Sequence, residues 1–237
     1  MKIEVLFPEF CQWFGDSANA RYLSRCIPDA DMISTSINSV PNFADSKTDI
    51  LILGSMTESQ QVTAVERLSG YREKLQEAIE DGMFVIATGN STELFGDHIL
   101  DSGEQIPMLR LFRFHAERDM TYRHNSLFLG EFEDMTVVGY KSQFSFIKGT
   151  IPGDFIKVTG GAGNSMGDLN EGFRYKNLFA TYLLGPFLVT NPPFTKYLLR
   201  SLGRDDTLAF EKEVTEAYEQ RRQRYSGPDT IFFDTEQ

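Results

Sequence analysis

The segment that decides the fold, residues 81–96, reads DGMFVIATGNSTELFG. Gly82 follows an acidic helical pattern and can adopt the left-handed conformation that ends a helix. The apolar run Phe84–Ala87 is typical of a short buried strand, and a new helix is expected from near Thr92 after a sharp turn. Such a strand-to-helix turn lies at the carboxyl edge of an α/β sheet, where ligands bind. Hydrolases have a nucleophile at this position, whereas this chain has Gly89.

Strand and helix patterns continue on both sides of this segment. Residues 49–54, DILILG, form the clearest strand, because an unbroken apolar run is what a strand covered on both faces requires. Other strands are expected from apolar or alternating patterns at Lys2–Phe7, Ile33–Val40, Leu109–Phe114, Leu127–Phe132 and Thr136–Tyr140. Helices are expected at Asp16–Arg25, Glu58–Arg67, Arg72–Asp81, Phe194–Leu202 and Asp206–Tyr225.

Composition and charge limit the classes of function. A chain of 237 residues with 41% hydrophobic residues predicts one globular domain spanning residues 1–237. The net charge of −11 argues against a nucleic-acid partner or an anionic-membrane surface. No apolar run reaches the length of a membrane span and no signal-like start is present, so we expect a cytoplasmic protein without membrane insertion. Cys11 and Cys26 provide neither a disulfide framework nor metal-ligand spacing, so no metal or cofactor is expected.

Three groups of residues carry a family resemblance. They are Pro8-Glu9 with Gly15-Asp16 and Asn19, the helix and turn from Leu75 onward, and the segment Glu171–Pro186. Together they resemble the cobyric acid synthase-like (CobB/CobQ-like) group of class I glutamine amidotransferases, which includes amidotransferase subunits of lipid II isoglutaminyl synthase. The resemblance implies a three-layer α/β sandwich of the class I glutamine amidotransferase (flavodoxin-like) kind. It also implies a Mur-ligase-like partner that uses released ammonia to amidate a peptidoglycan precursor.

The two catalytic positions of this family are altered in this chain. The family has a cysteine nucleophile where Gly89 stands and an activating histidine where Leu184 stands. Amide hydrolysis through a thioester needs a thiolate with a base in hydrogen-bond reach. The chain's three histidines lie outside the late motif, at positions 98, 115 and 124. The resemblance therefore predicts a chain with no catalytic residues that is unable to hydrolyse glutamine.

The rest of the family's glutamine pocket also differs. The family has a run of glycines whose amides can serve the oxyanion, and this chain has Gly54, Ser55 and Met56 there. Residues 139–143 replace a motif that carries Glu-Asn-His in the family. Glycine at the turn accepts positive φ without the strain of about 1–3 kcal/mol that another residue carries. The residues expected to line the former pocket are Gly54, Gly89, Asn90, Ser91, Gln143 and Leu184.

Three functions remain open on the sequence. The first is a binding, scaffold or regulatory partner of a Mur-ligase-like or other amide-forming enzyme. The second is a hydrolase with a changed nucleophile, Ser91 or Thr88, and His98 as a remote base. Ser91 is placed where its hydroxyl would cap the amides of the following helix. The third is a sensor of a small-molecule ligand less polar than glutamine, bound in the remodelled pocket.

Several conspicuous residues have ordinary structural interpretations. Asp16 is expected to cap the helix that follows it, and His115 and His124 to be solvated loop histidines. The glycine-rich stretch 160–167 lacks the spacing of a phosphate loop and is interpreted as a turn. The arginines at 221–224 complement the macrodipole at the end of the last helix.

Overall fold

The structure, a computed structural model, describes residues 1–233. Its strands, numbered β1 to β13 in chain order, are Lys2–Leu6, Asp31–Thr35, Ile50–Leu53, Phe84–Thr88, His98–Asp101, Glu104–Pro107, Phe114–Arg118, His124–Phe132, Met135–Gln143, Ser145–Gly149, Asp154–Gly160, Asn170–Tyr175 and Leu178–Thr181. Its α-helices, α1 to α7, are Ser17–Cys26, Asn42–Asp45, Glu58–Ser69, Arg72–Glu80, Phe187–Thr190, Pro192–Ser201 and Glu211–Tyr225. Two 3₁₀ helices span Trp13–Gly15 and Gly89–Phe95.

The strands form two sheets. The larger has the order β2-β1-β3-β4-β13-β12-β11-β8-β9, and the smaller has the order β10-β7-β5-β6. The first five strands in this sheet order, β2-β1-β3-β4-β13, pair in parallel. The other pairs of the larger sheet, from β13-β12 to β8-β9, are antiparallel. This order places β4 between β3 and β13, so the turn after β4 lies beside the ends of both neighbours.

Both faces of the parallel strands are covered, as the apolar run at residues 49–54 predicts. Leu51, Leu53 and Val85 belong to one core cluster, which α3, α4 and the smaller sheet also enter. Ile52 and Ile86 belong to a second cluster on the opposite face, which α1 and α6 enter. Alternate residues of β3 and β4 thus face two cores, and the expected three-layer α/β sandwich is confirmed.

Local signals fix the two helices before the turn. Thr57 caps α3, because its hydroxyl accepts the Gln60 N–H at 3.3 Å while the Gln60 side chain accepts the Thr57 N–H at 3.0 Å. Gly82 follows α4 with a φ of 94°, and the next N–H, of Met83, bonds back to the Ala78 carbonyl at 2.9 Å. The prediction that Gly82 ends the helix is confirmed.

The predicted strand Leu109–Phe114 is wrong. Leu109 and Phe112 donate their N–H groups to the carbonyls of Leu94 and Phe95, and Arg110 has a positive φ of 57°. This segment is therefore an irregular connection tied to the 3₁₀ helix Gly89–Phe95. The strand begins only at Phe114, where buried and half-buried residues start to alternate.

Several element boundaries also differ from the prediction, and local hydrogen bonds explain two of these differences. The second strand ends at Thr35, because the following chain turns and the Ile37 N–H bonds to the Glu9 carboxylate at 2.7 Å. The last helix begins at Glu211, since Asp205 accepts the Thr207 N–H at 2.8 Å in a local turn. The predicted single domain, residues 1–237, stays a prediction and ends outside the described residues. Among residues 1–233, every helix is too short or too polar to cross a membrane.

The interpretation of His115 and His124 as solvated loop residues is wrong. Both lie on strands, and His124 is only 3% exposed. Its Nε2 lies 3.1 Å from the Ser126 hydroxyl, and its ring packs 5.3 Å from the ring of Phe146. Burial, assisted by the nearby Lys141 charge, lowers the pKa of His124 to about 4.

This buried imidazole predicts a pH-dependent stability. An unfolded histidine has a pKa near 6.5, so the unfolded chain binds a proton at a pH where folded His124 stays neutral. Stability is therefore lost as the pH falls from about 6.5 towards 4, by roughly 2–3 kcal/mol at pH 4.5. In urea unfolding at pH 7 and pH 4.5, His124→Gln should lose about 2–3 kcal/mol less stability between the two pH values than wild type does. His115→Gln is the control, and parallel stability–pH curves for wild type and His124→Gln would contradict this assignment.

Candidate functional site

The ends of three neighbouring strands meet around Gly89. Ser55 and Met56 follow β3, Gly89 follows β4, and Leu184 follows β13. Gly89 adopts a φ of 63°, the left-handed region in which glycine avoids steric cost. Gly89, the position at which the resembling family has its nucleophile, thus has the backbone geometry of a tight strand-to-helix turn.

A cavity of about 330 Å³ opens at this edge of the sheet. Its wall combines aromatic, aliphatic and polar side chains. They are Trp13, Phe14, Ser55, Met56, Thr57, Glu58, Gly89, Asn90, Glu93, Arg123, Ser142, Gln143, Phe144, Ser145, Tyr182 and Leu184. Four of the residues expected from the sequence, Gly89, Asn90, Gln143 and Leu184, are therefore brought together.

Another cavity, of about 720 Å³, lies at the opposite edge of the sheet. It is lined by residues that begin or precede strands, such as Met1, Asp49 and Phe84. Open α/β sheets bind ligands beyond the carboxyl ends of their strands. The smaller cavity beside Gly89 is therefore the candidate functional site.

Gly54 and Ser91 do not line this cavity. A Cβ at Gly54 would meet the Asp16 Cβ and the Cys11 carbonyl oxygen, each at 2.6 Å, so Gly54 faces the opposite side of the strand end. Ser91 is fully buried, and its hydroxyl donates to the Thr88 carbonyl at 2.8 Å. The hydroxyl of Ser91 thus ties the turn to β4, and the predicted capping of helix amides is wrong.

Ser55 fills the space that a side chain at position 89 needs. A Cβ built on Gly89 would lie 2.0 Å from the Ser55 Oγ and 2.9 Å from the Ser55 Cβ. Ser55 is 3% exposed, and its hydroxyl has no hydrogen-bond partner in the part of the chain that the structure describes. The glycine at 89 and the serine at 55 are therefore sterically matched.

Neither a thiol nor an imidazole lines the cavity, within residues 1–233. Cys11 is buried, and desolvation raises its pKa to about 12. Cys26 is packed against the second core cluster, where burial also raises its pKa. Neither cysteine lines the cavity, and burial favours the neutral thiol of both, which is the opposite of the activation that a nucleophilic thiol needs.

The carboxylate of Asp16 joins the strand ends behind the cavity. It accepts the Ser55 N–H at 2.6 Å and the Thr88 hydroxyl at 2.8 Å, which connects the ends of β3 and β4. Burial raises the pKa of Asp16, and these donors partly offset that rise. The prediction that Asp16 caps α1 is wrong, because its side chain makes no capping bond and is directed to the neighbouring strands instead.

A buried ionic network, which sequence reasoning missed, includes two residues that line the cavity, Glu93 and Tyr182. Glu93 accepts from the Tyr182 hydroxyl at 2.9 Å and from the Gln61 amide at 2.9 Å. The Arg118 guanidinium, with a side chain 2% exposed, lies 3.2 Å from Glu93. Burial raises the pKa of Tyr182 well above its ordinary value, so its hydroxyl remains a donor. With all three donors in place, the Glu93 carboxyl group is engaged in structural contacts and is not free to act as a general base.

The described residues offer no group of three or more His, Cys, Asp or Glu side chains that could hold a metal ion. The stacked pair His98 and His115 lies on the smaller sheet, with ring centroids 5.0 Å apart. His98 pairs with Asp97 at 2.9 Å. Neither imidazole lines the cavity, so neither can act as a base at the turn.

Comparison with known proteins establishes the family. The profile of the CobB/CobQ-like glutamine amidotransferase domain matches residues 2–192, and the chain belongs to this family. It is 30% identical over 180 residues to the lipid II isoglutaminyl synthase (glutamine-hydrolyzing) subunit GatD of Staphylococcus aureus (strain N315), covering 75% of this chain and 74% of that protein. The subunit of the same name from Streptococcus pneumoniae (strain ATCC BAA-255 / R6) is 24% identical, covering 92% and 90%.

Solved structures agree on the fold. A glutamine amidotransferase matches with a TM-score of 0.58 and 16% identity, covering 85% of this chain and 98% of its own. A glutamine amidotransferase from Thermotoga maritima matches with a TM-score of 0.54 and 10% identity, covering 94% and 92%. The predicted class I glutamine amidotransferase fold is confirmed.

Proposed function

We propose that this chain is a glutamine amidotransferase-like subunit that has lost glutamine hydrolysis and acts in the cytoplasm by binding an amide-forming, Mur-ligase-like enzyme. One observation carries the proposal. At the turn where the family's nucleophile stands, Gly89 has no side chain, and Ser55 occupies the space beside it. Leu184, at the position of the family's base, is an aliphatic wall of the same cavity.

The retained scaffold supports a binding role. The family match spans residues 2–192, and the GatD relatives are subunits by name. The family's catalytic thiol and imidazole, in contrast, are replaced by Gly89 and Leu184. Trp13 and Phe14 are 50% and 47% exposed at the same cavity. Exposed aromatic side chains beside a site are typical of protein contacts. We infer that the partner covers this mouth, and that the chain scaffolds or regulates the partner's amide-forming step in cell-wall precursor synthesis.

The hydrolase alternative has little support. Ser91 is fully buried and donates to backbone carbonyls, and Thr88 donates to the Asp16 carboxylate. A nucleophilic hydroxyl needs a base within hydrogen-bond reach and access to substrate. His98, the remote base considered for it, lies on β5 of the smaller sheet and is paired with Asp97.

The partner claim is tested by capture and reconstitution. Affinity purification of the tagged chain from its source organism should recover an amide-forming ligase, identified by mass spectrometry. The reconstituted complex should form its amide with ammonium chloride and not with glutamine. Amide formation that depends on glutamine, or recovery of the chain alone, would contradict the proposal.

The mouth of the cavity supplies a variant test of that capture. Trp13→Ala combined with Phe14→Ala should reduce recovery of the ligase at least about tenfold, because buried aromatic side chains dominate the affinity of many interfaces. The control combines Met166→Ala with Leu169→Ala, since these side chains are 60% and 69% exposed and do not line the cavity. Equal recovery of the ligase with both double variants would contradict the inference that the partner contacts the mouth of the cavity.

A further inference from the structure

Two buried polar atoms at the cavity lack partners. Gln143, 6% exposed, donates its amide N–H to the Ser145 carbonyl at 2.6 Å, while its Oε1 has no hydrogen-bond partner in the described chain. The Ser55 hydroxyl likewise has no hydrogen-bond partner of standard geometry in the described chain, although the Asp16 carboxylate is close enough to be influenced by it. Buried polar atoms are nearly always satisfied, so each exception calls for an explanation. Because both residues line one cavity, a bound molecule that donates a hydrogen bond would satisfy both observations.

The side chain of Arg123 lines the same cavity and is paired with no carboxylate of the described chain. Arg123 lies over the ring of Phe144, with 4.2 Å from its Cζ to the ring centroid. Within residues 1–233, it forms no ion pair, although acidic residues outnumber basic ones by 34 to 23. A guanidinium held by stacking is preorganised for a carboxylate or another small anion.

Part of the remaining wall is apolar and aromatic. Met56, Phe144, Tyr182 and Leu184 line the cavity beside the polar atoms. Such a wall favours a flat apolar body over the flexible, fully polar chain of glutamine. The lining also contains polar side chains, among them the carboxylates of Glu58 and Glu93. Glu93 is already bonded within the protein, whereas the Gln143 Oε1 acceptor has no partner and the Arg123 cation forms no ion pair within residues 1–233, so these two groups fix how a ligand would be oriented.

We propose that this cavity binds a small aromatic carboxylate that carries a hydrogen-bond donor on its ring. The carboxylate pairs with Arg123, the ring lies against Phe144 and Leu184, and the donor meets Gln143 Oε1. The Ser55 hydroxyl adds a second polar contact above Gly89. This inference rests on the proposed loss of hydrolysis at the same cavity, and it gives the binding subunit a ligand that could regulate it.

Matched probes test the donor. Titrations of the full chain, followed by ¹H–¹⁵N NMR, compare 4-hydroxybenzoate with benzoate and 4-hydroxyphenylacetate with phenylacetate. In at least one pair, the hydroxylated compound should bind at least about fivefold more tightly, because it satisfies a buried acceptor. Glutamine should bind more weakly than the better hydroxylated probe.

Variants assign the two contacts. Gln143→Met removes the acceptor and should reduce the preference for the hydroxylated probe to less than about twofold, without weakening the probe that lacks the hydroxyl. Arg123→Met should weaken both members of a pair at least about fivefold, because the charge-assisted contact is lost. The controls Gln105→Met and Arg113→Met change exposed residues outside the cavity and should leave both affinities unchanged. Dispersed NMR spectra verify that each variant folds.

Three outcomes would overturn the inference: no saturable shift with any probe up to about 10 mM, tighter binding of glutamine than of every probe, or a hydroxyl preference that survives Gln143→Met. Ammonia release from glutamine is measured on the same samples. If no aromatic probe binds and no ammonia is released, the proposed ligand is wrong but the proposed loss of hydrolysis stands. Ammonia release would overturn the proposed loss of hydrolysis.

Discussion

Replacing Gly89 by cysteine is expected to destabilise the protein by about 2–5 kcal/mol rather than to restore a nucleophile. The new Cβ would lie 2.0 Å from the Ser55 Oγ, closer than real side-chain contacts allow. The backbone φ of 63° also adds strain for any residue other than glycine. Urea unfolding of wild type and Gly89→Cys measures the loss.

The steric match between Ser55 and Gly89 is tested by a double-mutant cycle. Ser55→Gly combined with Gly89→Cys should recover about 1–3 kcal/mol relative to the sum of the single changes, because the overlap is removed while the φ strain remains. Ser142→Gly combined with Gly89→Cys is the control, since Ser142 lines the cavity but is not among the atoms nearest to Gly89. Additive single changes at 55 and 89 would contradict the match. The recovered double variant should still not hydrolyse glutamine, because Leu184 provides no base.

Asp16→Ala is expected to destabilise the protein by about 3–5 kcal/mol. The change leaves the Ser55 N–H and the Thr88 hydroxyl without the carboxylate that they contact at 2.6 and 2.8 Å. It also disconnects the ends of β3 and β4 that frame the cavity. Urea unfolding at pH 7 provides the measurement.

Two companion variants make that result specific. Asp16→Asn keeps one acceptor oxygen and the shape of the side chain, so it should lose about half as much stability as the alanine variant. Asp154→Ala removes an exposed carboxylate from another strand and should stay within about 0.5 kcal/mol of wild type. If Asp16→Ala also stays within about 1 kcal/mol of wild type, Asp16 does not hold these strand ends.

The parallel half of the fold could be predicted because its signals are local. Gly82 ends a helix, and apolar runs precede Gly54 and Gly89. Each signal needs only a few neighbouring residues to be interpreted. The prediction of a strand at Leu109–Phe114 was wrong because it also relied on a local pattern. The residues alternate as in a strand, but the N–H groups of Leu109 and Phe112 bond to carbonyls of the 3₁₀ helix, those of Leu94 and Phe95.

The site could be predicted only in part. Gly89 and Leu184 were accessible through the resemblance, because a family pattern assigns a role to each position. The contact between Ser55 and Gly89 spans 34 residues, and the bond from Thr88 to Asp16 spans 72. No periodicity connects such distant residues. The positions of Gly54 and Ser91 outside the cavity likewise depend on which side of a strand end each residue faces, which requires the folded chain.

Ammonia release from glutamine by the purified full-length chain tests the central claim most directly. The cavity beside Gly89 contains neither thiol nor imidazole within the described residues, so a coupled ammonia assay should give the same rate as a blank without protein. Pretreatment with a thiol-alkylating reagent should change nothing. Steady release that follows protein concentration and is abolished by alkylation would contradict the account, because it would place a working thiol at this site.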